Sequence, residues 1–223
     1  MNLVSNNAKG GFAMESTRRP VVHVVDEDPT VRETLRAMLE PDGYDVRCHG
    51  SAADFLTQWP MGGPGCVLLD VRMPGPSGVD LQLALAHRPD ALPVVFLSGG
   101  GEIPLSVLAT RRSAADFLPK HVPRERLLAS VGDAVARSQA QQALDDRRRQ
   151  IRERFNTLTV RERAVFEQVT AGRLNKQIAS VLCTCERTVK AHRANVMQKL
   201  QAHSVAELVR IAIHLEAQAE AAA

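Results

Sequence analysis

Residues 66–75 read Cys66-Val67-Leu68-Leu69-Asp70-Val71-Arg72-Met73-Pro74-Gly75, a short apolar run that ends in a carboxylate and then meets a proline and a glycine. Such a run, bounded by turn residues, reads as a buried strand. Upstream, Val21-Val22-His23-Val24-Val25 delivers Asp26, Glu27 and Asp28; downstream, Val94-Val95-Phe96-Leu97 delivers Ser98-Gly99-Gly100-Gly101. Three strands thus present acids or a hydroxyl at their C-terminal ends. In an open parallel α/β sheet, ligands bind at that edge, where strand order reverses.

The pattern extends in both directions. Strands over 21–25, 44–48, 66–69, 94–97 and 115–118 alternate with helices over 29–40, 52–59, 78–86, 104–111 and from 124 onward. Five βα units imply a parallel sheet with helices on both faces. Asp28 reads as a helix cap with Pro29 in the first helical position. Phe55, Leu56 and Trp59 read as side chains packed under the sheet. Beyond residue 122 the spacing of Leu128, Val131, Val135, Leu144, Ile151 and Phe155 is helical, so one extended helix leaves the first domain. Asp145-Asp146-Arg147-Arg148-Arg149 makes its middle a charged rod able to pair with a second copy. Residues 158–214 keep helical periodicity only, in four short pieces. The expected organisation is a mobile tail over 1–19, an α/β domain over 20–137, a helical linker over 138–156, an all-α domain over 157–216 and a tail over 217–223. Met14 is a second candidate initiator.

Composition narrows the function. The chain has 223 residues, 44% hydrophobic and 24% charged, with a net charge of +3, which is ordinary globular usage. No apolar run approaches the roughly 20 residues of a membrane span, and residues 1–20 lack an apolar signal core. Four scattered cysteines do not make a secreted disulfide framework, so reduced thiols and a cytoplasmic location are expected. Over 20–122 acids outnumber Lys and Arg by 13 to 8; over 156–215 bases lead by 9 to 4. The acidic half suits a divalent cation and the basic half suits nucleic acid.

Asp26, Glu27 and Asp70 at one sheet edge repel one another unless a proton or cation neutralises them. Magnesium, which wants octahedral oxygen ligands and keeps several waters, matches that donor set. Lys120 and Ser98 would then offer a charge and a hydroxyl to phosphoryl oxygens. Asp70 would accept the phosphoryl group as an acyl phosphate, a reaction that asks the protein to position and neutralise.

Residues 21–136 resemble the receiver domain of two-component response regulators, whose acid pair, phosphoacceptor aspartate, Ser/Thr switch and lysine match Asp26 with Glu27, Asp70, Ser98 and Lys120. The resemblance implies a flavodoxin-like five-stranded receiver fold, an aromatic switch at Phe117 and a third metal ligand in the backbone carbonyl of Arg72. Three positions depart from the family. Glu27 stands for Asp, lengthening a ligand by one methylene. His121 stands for a proline that usually carries a cis bond; a cis bond without proline costs roughly 2.5–4 kcal/mol, so a trans bond, a shifted loop and a displaced Lys120 are expected. Ser98 replaces Thr before three glycines, which frees the switch loop.

In the basic half, Ile178, Ala179 and Leu182 face one way on a short helix, and Val189, Val196 and Leu200 do so on a longer one, with Cys183-Thr184-Cys185 between them. That is a helix-turn-helix pattern. Arg187, Lys190, Ala191, Ala194 and Gln198 form a stripe opposite the apolar face, suited to a major groove. Arg187 and Lys190 can reach guanine edges or phosphates, Ala191 and Ala194 can meet thymine methyls, and Lys176, His192 and Arg193 suit phosphates. Leu158-Thr159-Val160-Arg161-Glu162-Arg163, Asn175-Lys176-Gln177-Ile178-Ala179, Thr188-Val189-Lys190-Ala191-His192 and Lys199-Leu200 resemble the LuxR-type DNA-binding domain, which also places Thr188 among the DNA contacts. Together the halves resemble the FixJ/NarL class of transcriptional regulators. The resemblance implies a sensor histidine kinase, promoter DNA and RNA polymerase as partners, no membrane, and a homodimer when active. The family's turn has Gly at Cys183 and a Ser-like cap near Cys185, so a turn that is either strained or capped by Thr184 instead is expected.

Two other readings compete. A degraded receiver would leave a DNA binder indifferent to phosphorylation. Alternatively, Asp26, Asp28 and Thr30 fit the D-x-D-x-T signature of haloacid-dehalogenase-type phosphatases, with Asp26 as nucleophile and Asp28 as acid/base. A redox or metal role for the C-x-C pair is the remaining option.

Overall fold

The computed structural model describes residues 19–59, 63–86, 88, 90–100 and 114–220; the expected helix over 104–111, Gly101 and nearly all of the N-terminal tail lie outside them. The chain divides into two compact units, residues 1–142 and 143–223.

In the first unit the elements run β1 (Val21–Val25), α1 (Pro29–Leu39), β2 (Asp45–His49), α2 (Ala52–Thr57), β3 (Gly65–Asp70), α3 (Gly78–Ala86), β4 (Val94–Ser98), β5 (Ala114–Pro119) and α4 (Arg124–Asn156), the last reaching into the second unit. The strands are all parallel, in the order β2-β1-β3-β4-β5. Order reverses between β1 and β3, so the loops after these two strands share one crevice. The inner strands β1, β3 and β4 are covered on both faces, which is why they read as continuously apolar, whereas the edge strand β2 alternates, with Asp45 and Arg47 exposed. Cys66 and Leu68 enter a core with Leu35, Leu39, Leu127 and Val131, while Val67 and Leu69 enter the opposite core with Phe55, Leu81, Leu85 and Phe96.

Local chemistry fixes the ends. Asp28 caps α1 by accepting from Thr30 N, with Pro29 behind it. Ser51 caps α2, which stops at Thr57 rather than Trp59. Phe55 is buried as expected, but Leu56 is 39% exposed and Trp59 packs only partly, with its indole N–H donating to Asp90 at 2.7 Å and the Arg88 guanidinium over its ring. A six-residue helix has room for one buried face, and Leu56 lies off it. At Gly78 a methyl group would collide with the carbonyl of Asp70, so only glycine lets α3 start this close to the end of β3.

The second unit contains α5 (Val160–Thr170), α6 (Asn175–Val181), α7 (Glu186–Leu200) and α8 (Val205–Glu220). Its core joins Leu158, Val165, Phe166, Ile178, Val189, Val196, Leu200 and Leu208. Thr159 and Glu162 form a reciprocal capping box at the start of α5. The Glu162 carboxylate is buried, and an ion pair with Lys199 at 2.7 Å, with Thr159 N–H beside it, lowers its pKa to about 2. Helix α8 continues through Ala217, Gln218, Ala219 and Glu220, strong helix formers that lie within the expected tail over 217–223.

His23 on β1 and His49 on β2 are buried, with Nδ1 of the first 3.2 Å from Nε2 of the second, and Phe55 set edge-on to both rings. Desolvation, then repulsion from His49, lowers the His23 pKa to about 4; desolvation also lowers that of His49. The unfolded chain therefore binds protons that the folded one refuses, and stability falls as pH drops from about 6.5 towards 4. The His23 contribution is on the order of 3 kcal/mol across that window. Urea unfolding followed by the fluorescence of Trp59, the chain's single tryptophan, should show a lower midpoint at pH 4.5 than at pH 7. An NMR titration placing His23 at its ordinary value would refute this account.

Candidate functional site

The acid pocket is assembled from the ends of three strands. Asp26 leaves β1 fully buried, held by its own N–H on the His49 carbonyl at 3.2 Å and by the Asp28 N–H on Oδ1 at 2.9 Å. Asp70 ends β3, 2% exposed, and its Oδ1 accepts from Arg72 N at 3.1 Å. Glu27 is exposed at the mouth. Ligand atoms of Asp26, Glu27 and Asp70 lie within 4.8 Å of one another, and among the described residues this is the one acid or thiol cluster with such a spacing.

Lys120 reaches into the same pocket from the end of β5. Its Nζ lies 2.7 Å from Asp26 Oδ2 and 2.8 Å from Asp70 Oδ2. With His121 following it, Lys120 is held by the backbone hydrogen bond from its N to the Ser98 carbonyl, 2.8 Å, which continues the β4–β5 ladder to this residue. Burial disfavours the Lys120 ammonium, but hydrogen bonds and charge from Asp26 and Asp70 outweigh it, and its pKa rises. The Glu27 pKa also rises, first through desolvation and further through Asp70. Asp26, Glu27 and Asp70 set hard carboxylate oxygens around one crevice, a donor set that fits a divalent cation.

Ser98, at the end of β4, turns its hydroxyl to the Gly100 carbonyl at 2.9 Å. Phe117 on β5 is half-buried and stacks on Phe96, with centroids 5.0 Å apart and planes 12° from parallel. Arg32, a residue the sequence did not single out, donates from Nη1 to the carbonyls of Asp26 and Glu27 at 2.7 and 3.0 Å. Its only sequence signal is a cation one helical turn into α1. Asp28 stands apart from the cluster: it caps α1, and the Thr30 N–H lowers its pKa. An acid tied up in this way is poorly placed to donate the proton that the phosphatase reading requires.

In the second unit, α6 and α7 meet through a turn in which Cys183 adopts φ +48°, the left-handed conformation that glycine takes easily. Cys185, not Thr184, is the cap of α7, and its backbone is extended there. Arg187, Lys190, Ala191, Ala194 and Gln198 are all exposed, while Val189, Val196 and Leu200 are buried. Lys176 is exposed on α6; Thr188 and His192 are half-buried. Arg193 donates to Asn175 Oδ1 at 3.0 Å, tying α7 to the start of α6. Asn175, which the sequence shows only as part of the LuxR-type motif, thereby acquires a structural partner.

Comparison with known proteins places both units. Residues 22–132 match the response regulator receiver domain, and residues 156–212 match the bacterial regulatory proteins of the luxR family. The chain is 42% identical over 192 residues to the transcriptional regulatory protein FixJ of Azorhizobium caulinodans, covering 86% of this chain and 91% of that one. It is 36% identical over 206 residues to the response regulator protein TodT of Pseudomonas putida, covering 92% and 91%. The solved structure of the response regulator StyR superposes with a TM-score of 0.79 at 38% identity, covering 87% of this chain and 98% of that chain. The chain belongs to the two-component response regulators of the FixJ/NarL class, a receiver joined to a LuxR-type helix-turn-helix domain. It is a transcriptional response regulator switched by phosphorylation. Among the described residues, no helix is long and apolar enough to cross a membrane.

The pocket's charge balance is testable. Lys120→Met should lower receiver stability by about 2 kcal/mol or more in chelator, because it leaves two buried carboxylates facing each other. Millimolar magnesium should recover more of that loss in the variant than it adds to the parent. Trp59-monitored urea unfolding with and without magnesium measures both, and equal midpoints for parent and variant in chelator would contradict the assigned role.

Proposed function

We propose that Asp70 is the phosphoacceptor and that its modification, by a partner histidine kinase, controls how tightly the helix-turn-helix domain holds promoter DNA. The observation that carries this reading is the juxtaposition of Asp26 and Asp70 with Lys120 at 2.7 and 2.8 Å at the switch-point edge of the sheet. Asp26, Glu27, Asp70 and the Arg72 carbonyl would hold magnesium, which when bound neutralises charge on a phosphoryl group in transfer. Asp70 supplies the attacking carboxylate oxygen. Lys120, already seated between the two aspartates, shifts from Asp70 towards a phosphoryl oxygen. Ser98 exchanges its Gly100 partner for another such oxygen, and Phe117 follows inward.

In this reading the change remodels the face that carries β5, two copies associate, and each α7 reads one half-site. Lys190 and Arg187 contact bases or phosphates, Ala191 and Ala194 admit thymine methyls, and Thr188, Lys176, His192 and Arg193 bind the backbone. RNA polymerase is the further partner, and the cytoplasm is where such a protein meets its DNA.

Incubation with acetyl phosphate and magnesium, followed by intact mass measurement, should give one phosphoryl adduct per chain, abolished by Asp70→Ala. An adduct that survives Asp70→Ala and disappears in Asp26→Asn would instead favour the phosphatase reading. Lys190→Ala should weaken binding to a selected duplex by about tenfold at fixed salt, within the range for one lost base contact, and leave phosphorylation intact. Equal affinities in that titration would remove Lys190 from the interface.

A further inference from the structure

Of the four cysteines, two are chemically quiet. Cys66 is buried in the sheet, and burial pushes its thiol up to about 12. Cys48 is partly covered, and desolvation raises its pKa too. Cys183 and Cys185 differ from them in access, one condition of thiol reactivity. Both are exposed, and they flank Thr184 in the turn that joins the two helices of the DNA-reading motif. Cys185 caps α7, a helix of 15 residues, so the peptide dipoles of that helix favour negative charge on its sulfur. Its Sγ lies 3.2 Å from the Thr188 hydroxyl. The Thr188 hydroxyl and then the Thr188 N–H lower the Cys185 pKa. Cys183 offers a second thiol one residue beyond Thr184, from a residue at φ +48°.

We propose that Cys185 is a thiol-modification site that takes a mixed disulfide from an oxidised low-molecular-weight thiol, with Cys183 as the thiol that resolves it, and that this modification loosens the grip on DNA. The chemistry balances without a further oxidant. The Cys185 thiolate attacks one sulfur of the small disulfide; that S–S bond breaks, and the departing thiolate takes up a proton. Cys183, giving up its proton, attacks the Cys185 sulfur and expels the second small thiol. Two protein thiols become one disulfide, and the small disulfide is reduced to two thiols. The inference rests on the reading of α7 as the recognition helix. Arg187, Thr188 and Lys190 occupy the first turn and a half of that helix, directly after Cys185. An adduct at the cap would stand where the groove must enter, and a Cys183–Cys185 disulfide would pull the cap out of its extended conformation and re-aim the helix.

The test uses the full chain and oxidised glutathione as probe. Intact mass and peptide mapping should show a Cys183–Cys185 disulfide in the parent, a glutathionyl adduct on Cys185 in Cys183→Ser, and neither in Cys185→Ser, where serine remains a good helix cap. Binding to a duplex selected from a random pool by the reduced parent should weaken about tenfold or more on oxidation, the scale of one or two lost base contacts. Dithiothreitol should restore it, and Cys185→Ser should bind equally with and without oxidant. Modification confined to Cys48 or Cys66, absence of any modification, or oxidised protein that binds as tightly as reduced would overturn the proposal. A reduced parent that selects no duplex at all would instead count against the DNA-binding assignment of α7, while the mapped thiols still decide the chemistry at Cys185.

Discussion

The receiver rests on an electrostatic constraint: two carboxylates buried at the same sheet edge must be neutralised. Asp26 is fully buried and Asp70 nearly so, and among the described residues the ammonium that meets both is Lys120. Two ionised carboxylates at this spacing are unfavourable in a low-dielectric site, so the pocket is stable only while Lys120, a proton or a divalent ion shares the charge. The arrangement is therefore poised. Whatever adds charge to Asp70 must redistribute Lys120, and Lys120 is bonded through its backbone to Ser98 on the neighbouring strand.

The surrounding structure is organised to hold that pocket without filling it. Arg32 fixes the carbonyls of Asp26 and Glu27 from α1, the His49 carbonyl fixes the Asp26 amide from β2, and Gly78 lets α3 begin against Asp70. The side chains that hold the loop act on the backbone, leaving carboxylate oxygens for the pocket. Rigid support of this kind is what a site needs when its chemistry is positioning and charge neutralisation.

The sheet and the acid pocket were legible in the sequence because their signals are local and redundant. Apolar runs ending in acids name the strands and the edge together, and Pro29 behind Asp28 names the first helix. What escaped depends on partners far apart in the chain. The His23–His49 pair joins residues 26 apart, and the Glu162–Lys199 ion pair residues 37 apart. Neither carries a local pattern. The hold on Lys120 is of the same kind, since its N bonds the Ser98 carbonyl of the neighbouring strand, 22 residues earlier in the chain. Leu56 was assigned inward on hydrophobicity alone, although a two-turn helix buries one face.

The turn between α6 and α7 shows a sequence departure carrying physical meaning. A left-handed residue is easiest for glycine, and a cap is best as serine, threonine, aspartate or asparagine. This chain places cysteine at both positions, accepting a positive φ at Cys183 and a thiol in place of an oxygen at the α7 cap. Neither choice favours stability, since serine would cap better at Cys185 and glycine would relax Cys183. Local rules broken without structural gain point to function. The property these two residues share, and that serine and glycine lack, is a thiol.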